Sequence, residues 1–159
     1  MPKSATAAGA ATVGRFTVAF SYSGPTTRVH VEQNAQNGKN VYVDRDYLFA
    51  GLPAELTGAD WVQAANGDSL YNAVDLMEIA VKARTAVSIA HDDRLPRPAW
   101  LTRQFQPTSL SLTVNGQSMK VFQRRVDRDE SLTLGANAEN AAVSAANMYV
   151  VFANAAREK

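Results

Sequence analysis

Residue types able to bind a polar ligand are concentrated between residues 86 and 101. An alternating apolar strand there ends in Asp92, Asp93 and Arg94, two prolines follow, and the segment closes on Trp100 and Leu101. Such a segment can place two carboxylates, a guanidinium and a large aromatic ring together at the end of a sheet. This arrangement suits a binding rim. It suits a rigid structural corner equally well, because Arg94 can form a bidentate pair with either carboxylate and fix the loop.

A second aromatic candidate is Trp61, which lies in a strand predicted over residues 59–65. Alternate residues of a strand share a face, so Trp61 stands on the same side as Gln63 and Ala65. Half-buried packing and an exposed binding ring are both consistent with these neighbours. The candidate ligand-binding residues are therefore Trp61, Asp92, Asp93, Arg94 and Trp100.

The pattern of acids and histidines argues against catalysis. His91 lies beside Asp92, but the sequence contains no G-x-S-x-G or H-E-x-x-H motif and no second adjacent ligand. Asp92 and Asp93 are neighbours in sequence, so on a strand they point to opposite faces, which is a poor geometry for acting on one glycosidic bond. We predict that the chain is not an enzyme and has no catalytic residues.

Oxygen-bearing side chains leave one alternative for a cofactor. Acids and amides capable of binding calcium occur at residues 44–46, at Asp68 and at residues 137–139, without the spacing of an EF-hand. We predict no cofactor and no metal site, and keep a structural calcium ion as the alternative.

Composition narrows the class of protein. The chain has 159 residues, of which 46% are hydrophobic, and this fits one domain with a core. Sixteen basic and 15 acidic residues give a net charge of +1, without the basic excess typical of nucleic-acid binders. The lack of cysteine excludes disulfides and thiolate chemistry. No apolar run approaches the roughly 18 residues that span a bilayer, and no signal peptide follows Met1.

Hydrophobic alternation with a period of two dominates the chain from Val13 onward, and turn signals recur at intervals typical of β-proteins. Asn115-Gly116 predicts a tight hairpin, and the apolar run over residues 147–152 predicts a central strand. Residues 73–81 fit a strand or a helix. We predict a strand, paired with the next one at residues 85–90. The fold predicted is all-β, an antiparallel β-sandwich or jelly roll of about ten short strands.

The chain divides into a tail and one domain. Residues 1–12 are small and low in complexity, whereas residues 13–159 carry the strand pattern of a single β-sandwich domain. Alone, such a tail is disordered or weakly held. It can become ordered on its own sheet, or along the sheet edge of another copy by strand addition.

Several segments together resemble a known module. They are residues 47–53, 58–60, 65–66, 90–94, 98–101, 130–135 and 148–151. Residues 41–153 resemble a galactose-binding-like β-sandwich that is appended to bacterial exported carbohydrate-active enzymes. The resemblance implies a non-catalytic accessory module that binds glycan. On that interpretation Asp92, Asp93 and Arg94 contact sugar hydroxyls, and Trp100 stacks on a pyranose ring.

Two functions follow as hypotheses. The first is a non-catalytic extracellular module that binds a polysaccharide or glycan through an aromatic and polar loop rim. The alternative is a self-assembling structural subunit of a filament, sheath or shell, whose partners are copies of itself. Either protein is predicted to be bacterial, secreted or held at the cell surface, with the signal peptide absent from this chain, with no membrane span and no nucleic-acid partner.

Overall fold

The computed structural model describes residues 13–138 and 146–156, and its elements are almost all strands. The strands are β1 (Thr17–Tyr22), β2 (His30–Glu32), β3 (Asp60–Gln63), β4 (Met77–Val81), β5 (Thr85–Asp92), β6 (Gln106–Val114), β7 (Gln117–Val126), β8 (Glu130–Leu134) and β9 (Val150–Ala155). One short helix, α1 (Ala99–Gln104), and two single 3₁₀ turns, Ala54–Leu56 and Asn66–Asp68, lie between them.

The strands form two antiparallel sheets. One has six strands in the order β2-β3-β9-β5-β7-β6, and the other has three in the order β1-β4-β8. Apolar side chains from both sheets join in one core cluster. The prediction of an all-β sandwich is confirmed.

Residues 77–81 form a strand, as predicted, but the predicted partner was wrong. Strand β4 pairs with β1 and β8 in the three-stranded sheet, while β5 lies in the other sheet. The short link between them therefore crosses from one layer to the other. Arg84 takes a φ of 60° in this link, and such a left-handed residue lets the chain reverse sharply.

Strand β9 lies at the centre of the six-stranded sheet, between β3 and β5. Its first four residues are buried, and β5 is buried along its whole length. A strand covered on both faces needs an unbroken apolar run, so the sequence pattern before Ala153 correctly indicated a central position.

The hairpin between β6 and β7 turns at the dipeptide that the sequence indicated. Asn115 and Gly116 have φ values of 50° and 76°, the two left-handed positions of a type I′ turn. Strand β6 begins earlier than its alternation suggested, because its first residues pair with β7 before a register shift between Pro107 and Ser111.

A buried carboxylate joins the two sheets. Asp60, the first residue of β3, accepts hydrogen bonds from the backbone N–H groups of Arg15 (3.0 Å), Phe16 (2.8 Å) and Thr17 (3.0 Å). The Thr17 hydroxyl adds a fourth at 2.9 Å. These donors lie at the start of β1 in the opposite sheet, so one side chain of the six-stranded sheet anchors the entry of the three-stranded sheet.

The predicted tail of residues 1–12 and most of the loop predicted over residues 136–146 lie outside the described residues. The division into a tail and a single domain therefore stays a prediction. No helix in the described part of the chain is long and apolar enough to cross a membrane.

Candidate functional site

The end of β5 carries an ion pair between a buried carboxylate and a partly exposed arginine. Asp92 is fully buried, and Arg94 donates to it from Nε to Oδ1 at 3.1 Å and from Nη2 to Oδ2 at 2.8 Å. The backbone N–H of Arg94 adds a bond to Oδ1 at 2.9 Å, and that of Asn147 adds one to Oδ2 at 2.7 Å. The interpretation of this segment as a corner fixed by a bidentate arginine is confirmed.

These hydrogen bonds favour the ionised form of Asp92. Burial by itself raises the pKa of the Asp92 carboxyl group, but the hydrogen bonds from Arg94 and Asn147 outweigh it and hold the pKa below its ordinary value. The same contact holds the pKa of Arg94 above its ordinary value. Asp92 is therefore a carboxylate at neutral pH, and it keeps the Arg94 side chain in one orientation.

Asp93 has a different environment from Asp92. It is exposed, and its backbone N–H donates to the Ser118 carbonyl at 3.2 Å. Adjacent residues at a strand end face opposite ways, so only one of the two acids can join the buried pair.

The two tryptophans are buried. Trp100, in α1, is 8% exposed, and Trp61 is 3% exposed. The Trp100 indole donates to the Ala136 carbonyl at 2.8 Å, and its ring lies 5.1 Å from Tyr149 and 6.3 Å from Phe105. Trp100 borders a cavity of about 190 Å³, but neither ring is exposed enough to serve as an open stacking surface. The binding role of both tryptophans stays a prediction.

Trp61 packs in the core of the six-stranded sheet. Its ring meets Phe49 edge-on at 5.3 Å, and its indole N–H lies 3.4 Å from the Val41 carbonyl. Of the two interpretations of Trp61, the contacts favour packing.

His91 and two of the acids considered for calcium, Asp44 and Asp68, are engaged by protein groups. His91 Nε2 lies 2.9 Å from the carbonyl of Asn137, and burial lowers its pKa. Asp44 accepts the backbone N–H groups of Asn66 and Gly67 at 2.8 and 2.9 Å, and Asp68 accepts the Tyr22 hydroxyl at 2.6 Å. Within residues 13–138 and 146–156, no group of three or more histidines or acids is placed to hold a metal ion. Glu139 lies outside those residues.

Buried asparagines support the segment that leads into β9, and no periodic pattern in the sequence indicates them. Asn66 Oδ1 accepts the N–H of Met148 at 2.7 Å, and Asn137 Oδ1 accepts that of Tyr149 at 3.1 Å. Asn147 donates to the Val114 carbonyl at 3.0 Å. These amides take the place of a neighbouring strand and satisfy backbone groups that would otherwise be buried without partners.

Beside Arg94 lies a polar cavity of about 410 Å³. It is bounded by the loop before Tyr47, the turn after Asn66, and the β6–β7 hairpin. Its lining residues are Arg45, Tyr47, Asn66, Gly67, Ser69, Leu70, Arg94, Asn115, Gln117 and Ala146. The wall therefore offers guanidinium, amide, hydroxyl and phenol groups.

Only one of the five ligand-binding residues predicted from the sequence lines this cavity. Arg94 lines the wall, and Asp92 holds it from behind. The tryptophans are not among the lining residues, and the aromatic ring there belongs to the half-buried Tyr47. Tyr47 packs edge-on against Tyr42 at 6.2 Å. Chain order could not indicate Arg45 or Gln117, because the topology alone brings their loops beside Arg94.

The fold and this cavity define a β-sandwich module with a pocket of a size that suits a small polar ligand. The chain is 32% identical over 132 residues to a β-glucuronidase from Formosa agariphila, a match that covers 83% of this chain and 13% of that protein. It is also similar to the solved structure of a β-glucuronidase from glycoside hydrolase family 2. That match has a TM-score of 0.82 and 31% identity, and covers 86% of this chain and 14% of the other. No family model matches the chain.

These similarities confirm the resemblance to a β-sandwich module of carbohydrate-active proteins. The chain spans only 13% to 14% of the length of the two relatives, so it corresponds to a small segment of each.

Proposed function

We propose that this chain is a non-catalytic module that binds a polysaccharide or other glycan in the cavity beside Arg94. The observation that carries the proposal is the polar lining of that cavity around Tyr47, in a chain similar to part of a carbohydrate-active protein. On this proposal, the aromatic and polar loop rim predicted from the sequence corresponds to the wall of the cavity beside Arg94.

The lining suits a sugar chemically. Sugar hydroxyl groups both donate and accept hydrogen bonds, and the side-chain amides of Asn115 and Gln117 can accept from them and donate to them. Arg45 and Arg94 add N–H donors, and the Tyr47 ring supplies an apolar surface for a pyranose C–H face. Asn115 is exposed and Gln117 is half-buried, so a ligand can reach both.

The sharpest test removes the aromatic ring. Affinity electrophoresis against a panel of polysaccharides, followed by calorimetry on any that retard the protein, identifies the glycan. Tyr47→Ala should then weaken binding by about 1 kcal/mol, roughly fivefold. The matched control is Tyr71→Ala, which removes an exposed tyrosine that does not line the cavity. Failure of the whole panel to bind, or equal losses in the two variants, contradicts the proposal.

The non-catalytic part of the proposal is supported by how the candidate groups are engaged. His91 is buried against a carbonyl, and both oxygens of Asp92 accept N–H donors. The relatives are enzymes, but this chain covers 13% to 14% of their length. Incubation with p-nitrophenyl β-glucuronide tests this directly, and turnover that survives repurification contradicts it.

We further propose a secreted or surface-bound protein, since polysaccharides are met outside the cell. The proposal is supported only by the carbohydrate-active relatives. Fractionation of the native host should place the protein in the medium or on the surface, and recovery in the cytoplasm alone would refute it.

The alternative of self-assembly depends on residues 1–12, which lie outside the described residues. The edges of the six-stranded sheet discourage strand addition, because β2 has three residues and β6 carries Pro107 and a register shift. The edges of the three-stranded sheet, β1 and β8, are the ones that a neighbouring copy would have to use. Size-exclusion chromatography of the full chain and of a variant lacking residues 1–12 discriminates the two functions. A large assembly that disappears with the deletion would favour the structural role.

A further inference from the structure

We propose that His30 forms a pH-sensitive clasp on β2, the edge strand of the six-stranded sheet. The clasp consists of the His30 imidazole, the Glu32 carboxylate and the Arg28 carbonyl. It holds β2 in place while the imidazole is protonated, and β2 loosens when the ring loses a proton. The clasp lies outside the cavity beside Arg94 and does not depend on a bound glycan.

Both ring nitrogens of His30 face hydrogen-bond acceptors. Nδ1 lies 2.8 Å from the Arg28 carbonyl oxygen, and Nε2 lies 2.6 Å from Oε2 of Glu32. A neutral imidazole carries one N–H, so in either tautomer one nitrogen lone pair would point at an oxygen. The imidazolium donates at both positions. The geometry therefore matches the protonated ring.

The other side chains around the clasp leave this pairing undisturbed. The residue opposite His30 on β3 is the uncharged Gln63. Charged side chains also come from the start of β2 and from the loop that Gln63 contacts, and they are Arg28, Lys39, Asp44 and Arg45. The first two donate to backbone carbonyls at 3.3 and 2.9 Å, and the last two pair with each other at 3.0 Å.

The same contacts decide the pH range in which the clasp is closed. Burial by itself lowers the pKa of His30, but the hydrogen bonds to Arg28 and Glu32, with the charge of Glu32, outweigh it and raise the pKa above its ordinary value of 6.5. Because the folded state has the higher pKa, the contribution to stability is fully present below the unfolded pKa near 6.5. It is lost as the pH rises through the folded value.

The position of β2 in the sheet makes it responsive to so small a change. The strand has three residues, two of which belong to the clasp, and it pairs on one side only, with β3. The His30 and Glu32 side chains are each 44% exposed, so solvent screens the pair and its effect is confined to this strand. Short edge segments open locally without global unfolding, and an open β2 uncovers the backbone groups of β3 for pairing.

Proton NMR of the histidine rings tests the protonation. The chain has two histidines, so each titration curve can be assigned with His30→Gln. His30 should titrate above pH 6.5, and His91, whose pKa is lowered by burial, should titrate below it. Glu32→Gln should lower the midpoint of His30. Glu130→Gln is the matched control, because it removes a carboxylate that is 40% exposed and pairs with Arg124 at 2.7 Å, and it should leave that midpoint unchanged.

Hydrogen exchange tests the strand. The hydrogen-bonded backbone amides of β2 are compared between the unsubstituted protein and His30→Gln at each pH, so that the intrinsic pH dependence of exchange cancels. Below the His30 midpoint the unsubstituted protein should protect β2 about two- to fivefold more than the variant, and above it the two should converge. Amides of the central strand β5 should not differ. Glu32→Gln, which keeps the ring, provides a second comparison, and thermal unfolding verifies that each variant is folded.

Two results would overturn the clasp. One is a His30 midpoint at or below 6.5, or a midpoint that Glu32→Gln leaves unchanged, because either would mean that Glu32 does not stabilise the imidazolium. The other is equal protection of β2 with and without His30 at every pH, which would show that protonation of the ring does not hold the strand.

Discussion

Replacing Trp100 by alanine distinguishes a ring that holds the fold together from a ring that binds ligand. Trp100 is 8% exposed, contacts Tyr149 and Phe105, and donates to the Ala136 carbonyl. A buried indole removes about 150–250 Å² from water, which at about 25 cal/mol per Å² is at most roughly 4–6 kcal/mol. Loss of the ring from a core of this kind costs about 3–5 kcal/mol, and the carbonyl loses its donor.

The measurement is urea unfolding followed by circular dichroism. At a slope of about 2 kcal/mol per molar urea, the midpoint of Trp100→Ala should fall by about 1.5–2.5 M, and its Tm by about 6–20 °C. Trp100→Phe is the companion variant. It keeps most of the apolar volume, so it should lose only the hydrogen bond and part of the packing, about 1–3 kcal/mol.

Ligand binding by the same variants completes the test. If Trp100 is core, Trp100→Phe should keep the affinity of any bound glycan within about twofold. A Trp100→Ala protein with nearly unchanged stability and abolished glycan binding would refute our account of the burial and restore the ring as a stacking platform.

Three further changes test individual contacts of the fold. Asp60→Ala leaves three backbone N–H groups without their acceptor and should cost about 3 kcal/mol or more in urea unfolding, whereas full stability would show that the junction is dispensable. Gly135→Ala places a Cβ 2.6 Å from a ring carbon of Trp100 and should cost about 1–3 kcal/mol by overpacking; no change would contradict that contact. Arg94→Gln should cost about 1–3 kcal/mol, less than a fully buried pair because the guanidinium is one-third exposed. Because Asp92 has a lowered pKa when folded, its contribution is present above its unfolded pKa near 3.8 and is lost as the pH falls through the folded value. Urea midpoints should therefore drop on acidification, and less steeply in Arg94→Gln; parallel pH curves would contradict this linkage.

The sequence predicted those parts of the fold that depend on residues adjacent in the chain. The dipeptide Asn115-Gly116 specifies its own turn, because both residues tolerate a left-handed backbone. The continuous apolar run that ends near Phe152 indicates a central strand, because only full cover on both faces allows it. Such inferences need no knowledge of where other segments lie.

Partners across the two sheets could not be predicted in this way. Strand β4 follows the alternation expected of a neighbour of β5, yet it lies in the opposite layer, and three residues suffice to cross between them. The burial of Trp61 depends on Phe49 and Val41, which come from a loop 12 to 20 residues earlier. Alternation along a strand shows which residues share a face. Which of the two faces is buried depends on how the other segments pack.

The candidate site was predicted in part for the same reason. Arg94 and Asp92 are two residues apart, so their pairing follows from sequence. Arg45, Tyr47 and Gln117 reach the cavity from separate loops, and no spacing between them indicates a common wall. Their role depends on long-range topology, which composition and periodicity do not encode.

The Asp60 carboxylate has a consequence for how the molecule opens. Its four donors belong to Thr17, the first residue of β1, and to the two residues before it, while Asp60 itself begins a strand of the other sheet. The two sheets cannot separate here without leaving the Asp60 carboxyl group and three backbone N–H groups without their partners, so we expect this junction to resist local unfolding. Once the hydrogen bonds to Asp60 break, both sheets lose their connection together. We therefore expect the protein to unfold cooperatively instead of losing the three-stranded sheet first.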